Sequence, residues 1–238
     1  SEIYNVWGLF LGSESVFSLR NSKSMEKILI DEVPWMLAVQ VPDGPYKGSV
    51  YQDESDPEYY TSVYYKFGNH ERFISDVTDN NNSTLVTAQY AGAMAVASGL
   101  LEENDRHDQA VEAARASIRA WDYLVSHPQA TTFQSGPVRD LDDTDERLVA
   151  AVQMIELSAA HPDIFNAAVS KEAASGISRE SLSAYIRANA RTLIPQHIFE
   201  ADCHDNIALA HLALLPDNVA ETYGLKNEKT EARSSLLA

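Results

Sequence analysis

Apolar residues recur at helical spacing along most of the chain, and the pattern is clearest between residues 84 and 128. Two helices are predicted there, joined by a short connector at Asn104-Asp105, where Asp105 is a plausible cap. One face of the first helix consists of small residues: Ala88, Gly92, Ala95 and Gly99. One stripe of the second is suited to pack on it: Ala110, Ala114, Ser117, Trp121 and Leu124. His127-Pro128 ends the pair.

Weaker patterns predict further helices on both sides of this pair. One is expected from Ile3 to Leu19, and a second follows with Pro34 inside it, which should kink or split that helix near Val33. Downstream helices are predicted after the acidic run 142–146, with Leu148 to Ala159 on the buried face, from Pro162, and from a cap at Ser178 to Leu193. A last helix is predicted at about 205–215, and the charged segment 226–238 is expected to be frayed.

Residues 41–80 differ from the rest because they are rich in tyrosine, aspartate and turn signals. A small hairpin near Lys47 to Gln52 is predicted within this loop-rich insert. Ordered loops of such length are usually functional. We therefore expect one all-α domain over 1–238, an α/α toroid of antiparallel helix pairs or part of one, with long loops gathered on one face.

The charge balance narrows the classes of partner. Aspartate and glutamate total 35 against 18 lysines and arginines, which gives a formal net charge of −17. Such a surface repels nucleic acid, and no basic patch offsets it. No uninterrupted apolar run reaches the ~18 residues of a membrane span, so none is expected. Cys203 is the only cysteine, which excludes an intrachain disulfide.

Four segments, in order, carry a family resemblance. Ser83 to Ser98, S-T-L-V-T-A-Q-Y-A-G-A-M-A-V-A-S, resembles the T-A-x-F-A-A-x-M-A-x-A-S helix of glycoside hydrolase family 9. Ala113 to Pro128 is similar to that family's A-A-x-x-A-W-x-Y-L…P helix. Ile30 to Gly44 resembles L-D-E-x-x-W-x-L-x-x-Q-x-P-D-G, and Asp145 to Ala151 resembles D-E-R-x-W-A-A.

The resemblance implies an (α/α)6 barrel and hydrolysis of β-1,4-linked glucan or short oligosaccharides, in a secreted or periplasmic protein. The chain opens without a signal peptide pattern. Inverting hydrolysis needs two carboxyl groups at roughly 6.5–9.5 Å separation. The family's D-A-G-D base motif and its H-H-R motif are absent from this sequence, so the base is unassigned. Asn227-Glu228 has the form of the family's N-E pair, which makes Glu228 the predicted general acid, although Lys229 and Thr230 replace its usual apolar continuation.

Candidate sugar-binding residues come from the tyrosine-rich insert, because sugar C–H faces stack on aromatic rings. The candidates are Tyr46, Tyr51, Tyr59 and Tyr60. Four acids of the insert either line a cleft or form a solvated loop: Asp53, Glu54, Asp56 and Glu58.

No cofactor is expected, but two groups of residues could bind a metal ion. Asp140, Asp142 and Asp145 supply oxygen ligands of the type calcium prefers, although Asp142 and Asp143 are also explained as capping acids at a helix N-terminus. Donors that a transition metal could use crowd a second segment, in no recognised ligand spacing: His197, Glu200, Asp202, Cys203, His204 and Asp205, with His211 beyond. The alternative there is a polar loop and helix start with Cys203 buried.

Three functions remain open at this point. A glycoside hydrolase is the leading interpretation. The missing aspartate motif favours a non-catalytic carbohydrate-binding or helical interaction module derived from the same barrel. A different α/α-toroid enzyme, such as a lyase, is the third. The sequence carries no signal for oligomeric state.

Overall fold

The computed structural model describes residues 22–50, 54–55, 63–67, 70–74, 83–130, 142–172, 176–193 and 203–237. These ranges contain nine helices: α1 (Ser22–Ala38), α2 (Thr84–Glu103), α3 (His107–Ser126), α4 (Thr144–Ala160), α5 (Pro162–Lys171), α6 (Arg179–Leu193), α7 (Cys203–Leu214), α8 (Asp217–Thr222) and α9 (Lys226–Leu237). The all-α, toroid-like class predicted from the sequence is confirmed. The helix predicted from Ile3 to Leu19 lies outside the described residues, and the extent of the domain stays a prediction.

Helices α2 and α3 form the centre of the array, as their small-residue faces predict. Every residue of α2 from Thr84 to Ser98 is buried, because α3 covers one side and α4 another. Two serines fasten the pair: Ser117 Oγ donates to the Ala91 carbonyl at 2.6 Å, and Ser98 Oγ donates to the Ala110 carbonyl at 2.8 Å. Small side chains let the two backbones approach closely enough for these hydrogen bonds to form.

The connector between α2 and α3 differs in detail from the prediction. Asp105 is not a capping residue: the helix begins after Arg106, which makes no side-chain cap. Asp105 instead adopts a left-handed backbone conformation with φ of 58°, which aspartate tolerates better than most residues. The Arg106 amide then donates to the Leu101 carbonyl at 2.9 Å, so the turn provides a hydrogen-bond donor for a carbonyl at the end of α2.

Helix α1 continues through Pro34 as one helix from Ser22 to Ala38, so of the two outcomes predicted near Val33, a kink or a split, the split is wrong. An internal proline costs about 3 kcal/mol in a helix. The side chains around it are buried in the core, with Val33, Trp35 and Met36 all at or below 6% exposure. Tertiary packing therefore offsets the local cost.

The loop-rich insert contains a three-stranded antiparallel sheet: β1 (Glu54–Ser55), β2 (Val63–Phe67) and β3 (His70–Ile74), in the order β1-β3-β2. Phe67 pairs with His70, so β2 and β3 form the hairpin. This hairpin lies later than the one predicted near Lys47 to Gln52. The described part of that stretch forms a bridge between Gln40 and Val50, and residues 51–52 lie outside the described residues.

The C-terminal region is more ordered than its charge pattern predicts. Residues 226–238 were expected to be frayed, but α9 runs from Lys226 to Leu237 and packs against α6, α7 and α8. Ala232, Glu228 and Lys229 are buried in that packing. Local predictions elsewhere in this half are confirmed: Pro162 lies in the first turn of α5, and Ser178 Oγ accepts from the Ser181 amide at 3.0 Å before α6.

Helix α2 is long and apolar enough to cross a membrane by length and composition, which the sequence analysis did not expect. The qualifying stretch is 89% buried inside the protein. A central helix of a folded domain passes the same test, so the property is explained by the core position of α2.

Candidate functional site

One end of the helix array gathers the ends of α1 and α3 and the beginnings of α2 and α4, together with the residues that flank them. We call it the loop end. Its backbone is fixed by Gln40, whose Nε2 donates to the carbonyls of Gly48 at 3.0 Å and Ala116 at 2.9 Å. Arg119 donates in turn to Gln40 Oε1 at 2.9 Å. The glutamine of the Q-x-P-D-G segment is therefore structural.

Gly48 is required in this turn. Its φ is +92°, and a Cβ there would lie 2.3 Å from the Arg119 carbonyl oxygen. The close approach holds the turn 41–50 against α3 and brings Tyr46 to the surface of the loop end, where it is half-buried.

Tyr46 lies near Tyr123 on α3, which stacks on His127 with ring centroids 4.0 Å apart and an interplanar angle of 23°. Burial raises the pKa of the Tyr123 hydroxyl, nearby Tyr46 raises it further, and Arg147 opposes the change. The structure thus places Tyr46 in an aromatic group of the loop end. The predicted partners Tyr51, Tyr59 and Tyr60 lie outside the described residues, as do Asp53, Asp56 and Glu58, while Glu54 begins β1.

Arg147 is the central cation of the loop end. Its Nη1 donates to the Leu124 carbonyl at 2.7 Å, and its Nη2 donates to the His127 carbonyl at 2.8 Å, which satisfies the end of α3. Nη2 also pairs with Asp143 Oδ2 at 2.8 Å. Both charged side chains are less than a tenth exposed, so the arginine of the D-E-R segment joins α4 to α3.

Glu146 lies one residue before Arg147 and is 2% exposed. Gln89 on α2 donates to Glu146 Oε1 from its Nε2 at 3.3 Å, while Gln89 Oε1 is buried without a hydrogen-bond partner among the described residues. This amide and carboxyl pair connects α2 to α4 directly under the loop end.

Tyr185 of α6 approaches the same acidic group from the other side. Its ring packs edge-on against Trp121 at a centroid distance of 5.2 Å, which confirms that Trp121 packs between helices. Burial raises the pKa of the Tyr185 hydroxyl, Arg147 opposes this, and Asp143 adds to it. The loop end therefore combines aromatic rings with a group of carboxylates around one arginine.

The calcium candidates are only partly brought together. Asp140 lies outside the described residues, and Asp145 is buried. Asp142 accepts hydrogen bonds from the backbone amide, at 2.8 Å, and from the hydroxyl of Thr144, which agrees with a capping role. For Asp143 that role is wrong: it is the N-cap residue of α4 but makes no side-chain cap, because its carboxylate pairs with Arg147. Burial would raise the pKa of Asp142, but these hydrogen bonds lower it overall. No group of three or more acidic, histidine or cysteine side chains suited to a metal ion occurs in the part of the chain that the structure describes.

The transition-metal candidates fall mostly outside the described side chains. His197 to Asp202 are not described, and Cys203, His204 and Asp205 are described only as backbone at the start of α7. His211 is described: Gln153 Nε2 lies 2.8 Å from its Nδ1. That histidine lines a surface cleft that could not be predicted from the sequence, because its lining residues come from four separate helices: α2, α4, α7 and α8.

Glu228 lies in the first turn of α9 and is 7% exposed, and its Oε2 has no hydrogen-bond partner among the described residues. Helix α9 packs against α6, α7 and α8, whereas Tyr46 lies beside α3. The structure therefore does not place the predicted general acid in the aromatic group of the loop end. Its assignment stays a prediction.

Fold and loop end together define a protein of the α/α-toroid class with an acidic and aromatic end. The family profile described as Glycosyl hydrolase family 9 matches residues 5–226. Because that match covers most of the sequence, the chain belongs to glycosyl hydrolase family 9. Glu228 lies beyond the matched residues.

Two solved structures are similar to the chain over 99% of its length. One is the family 9 endoglucanase J30, at 16% identity and a TM-score of 0.44. The other is a zinc-binding triple mutant of that endoglucanase, at 17% identity and a TM-score of 0.44. The chain covers 53% of each of them, so it spans about half their length. No curated protein shows a significant match.

Proposed function

We propose that the chain acts as a glycoside hydrolase on β-1,4-linked glucan or short oligosaccharides, by an inverting mechanism with two carboxyl groups. Membership of glycosyl hydrolase family 9 is the observation that carries this proposal. The acidic, aromatic loop end supports it, because neutral sugars bind to ring faces and carboxylates without needing a cationic surface. A secreted or periplasmic location belongs to the same proposal.

In the proposed site, Tyr46 provides one stacking ring, and Tyr51, Tyr59 and Tyr60 of the insert provide others. Tyr46 is half-buried, with part of its surface available to a ligand, and Tyr123 lies close by. Calcium, if bound, would use Asp140, Asp142 and Asp145.

Glu228 is the proposed general acid. The N-E form of Asn227-Glu228 supports the assignment, as does a buried Oε2 without a hydrogen-bond partner among the described residues. Its position beyond the matched residues and its packing against α6 and α7 weigh against it.

The test compares two glutamates of α9. Release of reducing ends from cellotetraose should fall at least ~100-fold in Glu228→Gln, because a general acid contributes about that much to the rate or more. Glu231→Gln is the matched control: Glu231 lies one turn further along, is partly exposed and pairs with Arg191 at 3.1 Å. Activity that survives in Glu228→Gln would show that the acid is a different residue.

A non-catalytic carbohydrate-binding or helical interaction module is the second candidate. The absence of the D-A-G-D and H-H-R motifs from the sequence favours it. Calorimetric titration with cellotetraose separates the two functions: heat of binding without release of reducing ends supports the module, and measurable turnover rules it out.

A further inference from the structure

A surface cleft of about 720 Å³ lies where α2, α4 and α7 end and α8 begins. We call it the far cleft. Helix α2 has 20 residues and is therefore roughly 30 Å long. It begins at the loop end and its last residue, Glu103, lines the far cleft, so the two features lie at opposite ends of the array.

The polar lining of the far cleft consists of carboxylates, amides and two histidine rings, and His161 Nε2 lies 3.9 Å from Glu103 Oε1. Glu103 and Glu156 contribute carboxylates, and Gln153 and Asn218 contribute amides. In the part of the chain that the structure describes, no lysine or arginine lines it. An anionic ligand would therefore be repelled, and the net charge of −17 adds to this preference for cations.

His211 does not supply a positive charge here. Burial lowers its pKa to about 4, so the ring is neutral at physiological pH. Gln153 Nε2 donates to His211 Nδ1 at 2.8 Å, which leaves the ring proton on Nε2. Since the nitrogen of this amide is occupied, Gln153 Oε1 is the atom that can accept from a ligand. Gln153 is itself only 2% exposed, so its position is fixed.

The remaining walls are aliphatic, formed by alanine, valine, leucine and proline side chains, among them Leu214, which is 66% exposed. No tryptophan, tyrosine or phenylalanine is among the described lining residues. A sugar would find only the imidazole rings of His161 and His211 to stack on, whereas an aliphatic body would bury apolar area on these walls.

We propose that the far cleft binds a primary ammonium group carried on a compact aliphatic body. The ammonium donates to the Glu156 and Glu103 carboxylates and to Gln153 Oε1, and the aliphatic part packs on the walls. This site is separate from the loop end and does not depend on hydrolase activity.

Three probes with the same number of carbons test the proposal by nuclear magnetic resonance titration: pentylamine, 1-pentanol and pentanoate. Pentylamine should shift the side-chain amide signal of Gln153 and the ring signals of His211, and it should bind about fivefold more tightly than 1-pentanol. Pentanoate should cause no shift. The absence of a shift with pentylamine, or equal affinity for the alcohol, would overturn the proposal, as would tighter binding of cellobiose at the same signals.

Matched variants locate the charge. Glu103→Gln and Glu156→Gln should each weaken pentylamine binding, together roughly fivefold or more. Glu103 is 63% exposed, so its replacement leaves the packing intact and keeps the test informative if Glu156→Gln is poorly folded. Glu102→Gln is the control, because Glu102 faces His107 at 3.2 Å and does not line the cleft. Unchanged affinity in Glu103→Gln and Glu156→Gln would contradict the assignment.

Discussion

Two buried cations satisfy the ends of helices in different halves of this molecule, and their surroundings differ. Arg147 donates to the last carbonyls of α3 and pairs with Asp143, which is 5% exposed. Lys229 donates to the Leu215 carbonyl just after α7 and pairs with Asp217, whose side chain is 88% exposed. Each cation thus stabilises the C-terminal end of a helix from another helix.

The difference lies in what remains if the cation is lost. Removing Arg147 would leave the Asp143 charge buried in the protein interior. Removing Lys229 would leave Asp217 in water, where its charge is solvated. A buried cation at a helix end is therefore expected to contribute more to the stability of the loop end than to that of the C-terminal region.

The largest effect is expected from Arg147→Met. This change removes hydrogen bonds to α3 and leaves a buried carboxylate unpaired, so the free energy of unfolding should fall by about 3–5 kcal/mol. Urea denaturation measures it. In the double variant Arg147→Met/Asp143→Leu the loss should be smaller than in the single variant, because no charge is left buried. A double variant that is less stable than Arg147→Met would contradict this account.

The next largest effect is a dependence of stability on pH, which arises from His211 in the C-terminal region. The pKa of His211 falls from its ordinary value of 6.5 to about 4 in the folded protein. The unfolded chain therefore binds a proton near pH 6.5 that the folded protein does not accept. The contribution of neutral His211 to the free energy of unfolding is fully present above pH 6.5. It is lost as the pH falls towards 4, by roughly 3 kcal/mol.

His211→Gln should flatten that slope in urea denaturation between pH 6.5 and 4.5. His107→Gln is the control, since the side chain of His107 is 61% exposed on α3. An equally steep slope in His211→Gln would show that other groups cause the pH dependence.

The smallest effect is expected from Lys229→Met. The loss of the hydrogen bond to the Leu215 carbonyl should lower the free energy of unfolding by about 2 kcal/mol. The hydrogen bond from Lys229 and its charge hold the pKa of Asp217 below the ordinary value, so that pKa should return towards it in the variant. Lys171→Met, at an exposed position at the end of α5, should change neither quantity, because Lys171 is not among the charges that act on Asp217. A loss as large as that of Arg147→Met would remove the distinction between the two regions.

Features with a local cause could be predicted from the sequence. Ser178 before α6, Pro162 at the start of α5 and the small faces of α2 and α3 each act within a few residues or across one helix pair, and spacing reveals them. The continuity of α1 through Pro34 and the packing of α9 depend on neighbours distant in sequence. The charged sequence 226–237 does not indicate that Lys229 will be buried or that it will donate a hydrogen bond to the Leu215 carbonyl.

The candidate site could be predicted only in part for the same reason. Tyr46 is a candidate from the tyrosine-rich insert, but its neighbour in the structure is Tyr123 of α3, which no local pattern indicates, and its role in binding sugar stays a prediction. The structural roles of Gln40 and Arg147 follow from carbonyls contributed by other helices, which no motif spells out. The far cleft could not be predicted from the sequence, because Gln153 and His211 are 58 positions apart.

The burial of α2 from Thr84 to Ser98 has a consequence for how this protein can diversify. A helix enclosed on every side has no position at which a larger or charged side chain is neutral, so its sequence can drift little. Changes in ligand preference are then expected in the turns and inserts at the surface, such as the segment around Tyr46. The sequence of the enclosed helix is expected to change more slowly, which is why it carries the family resemblance.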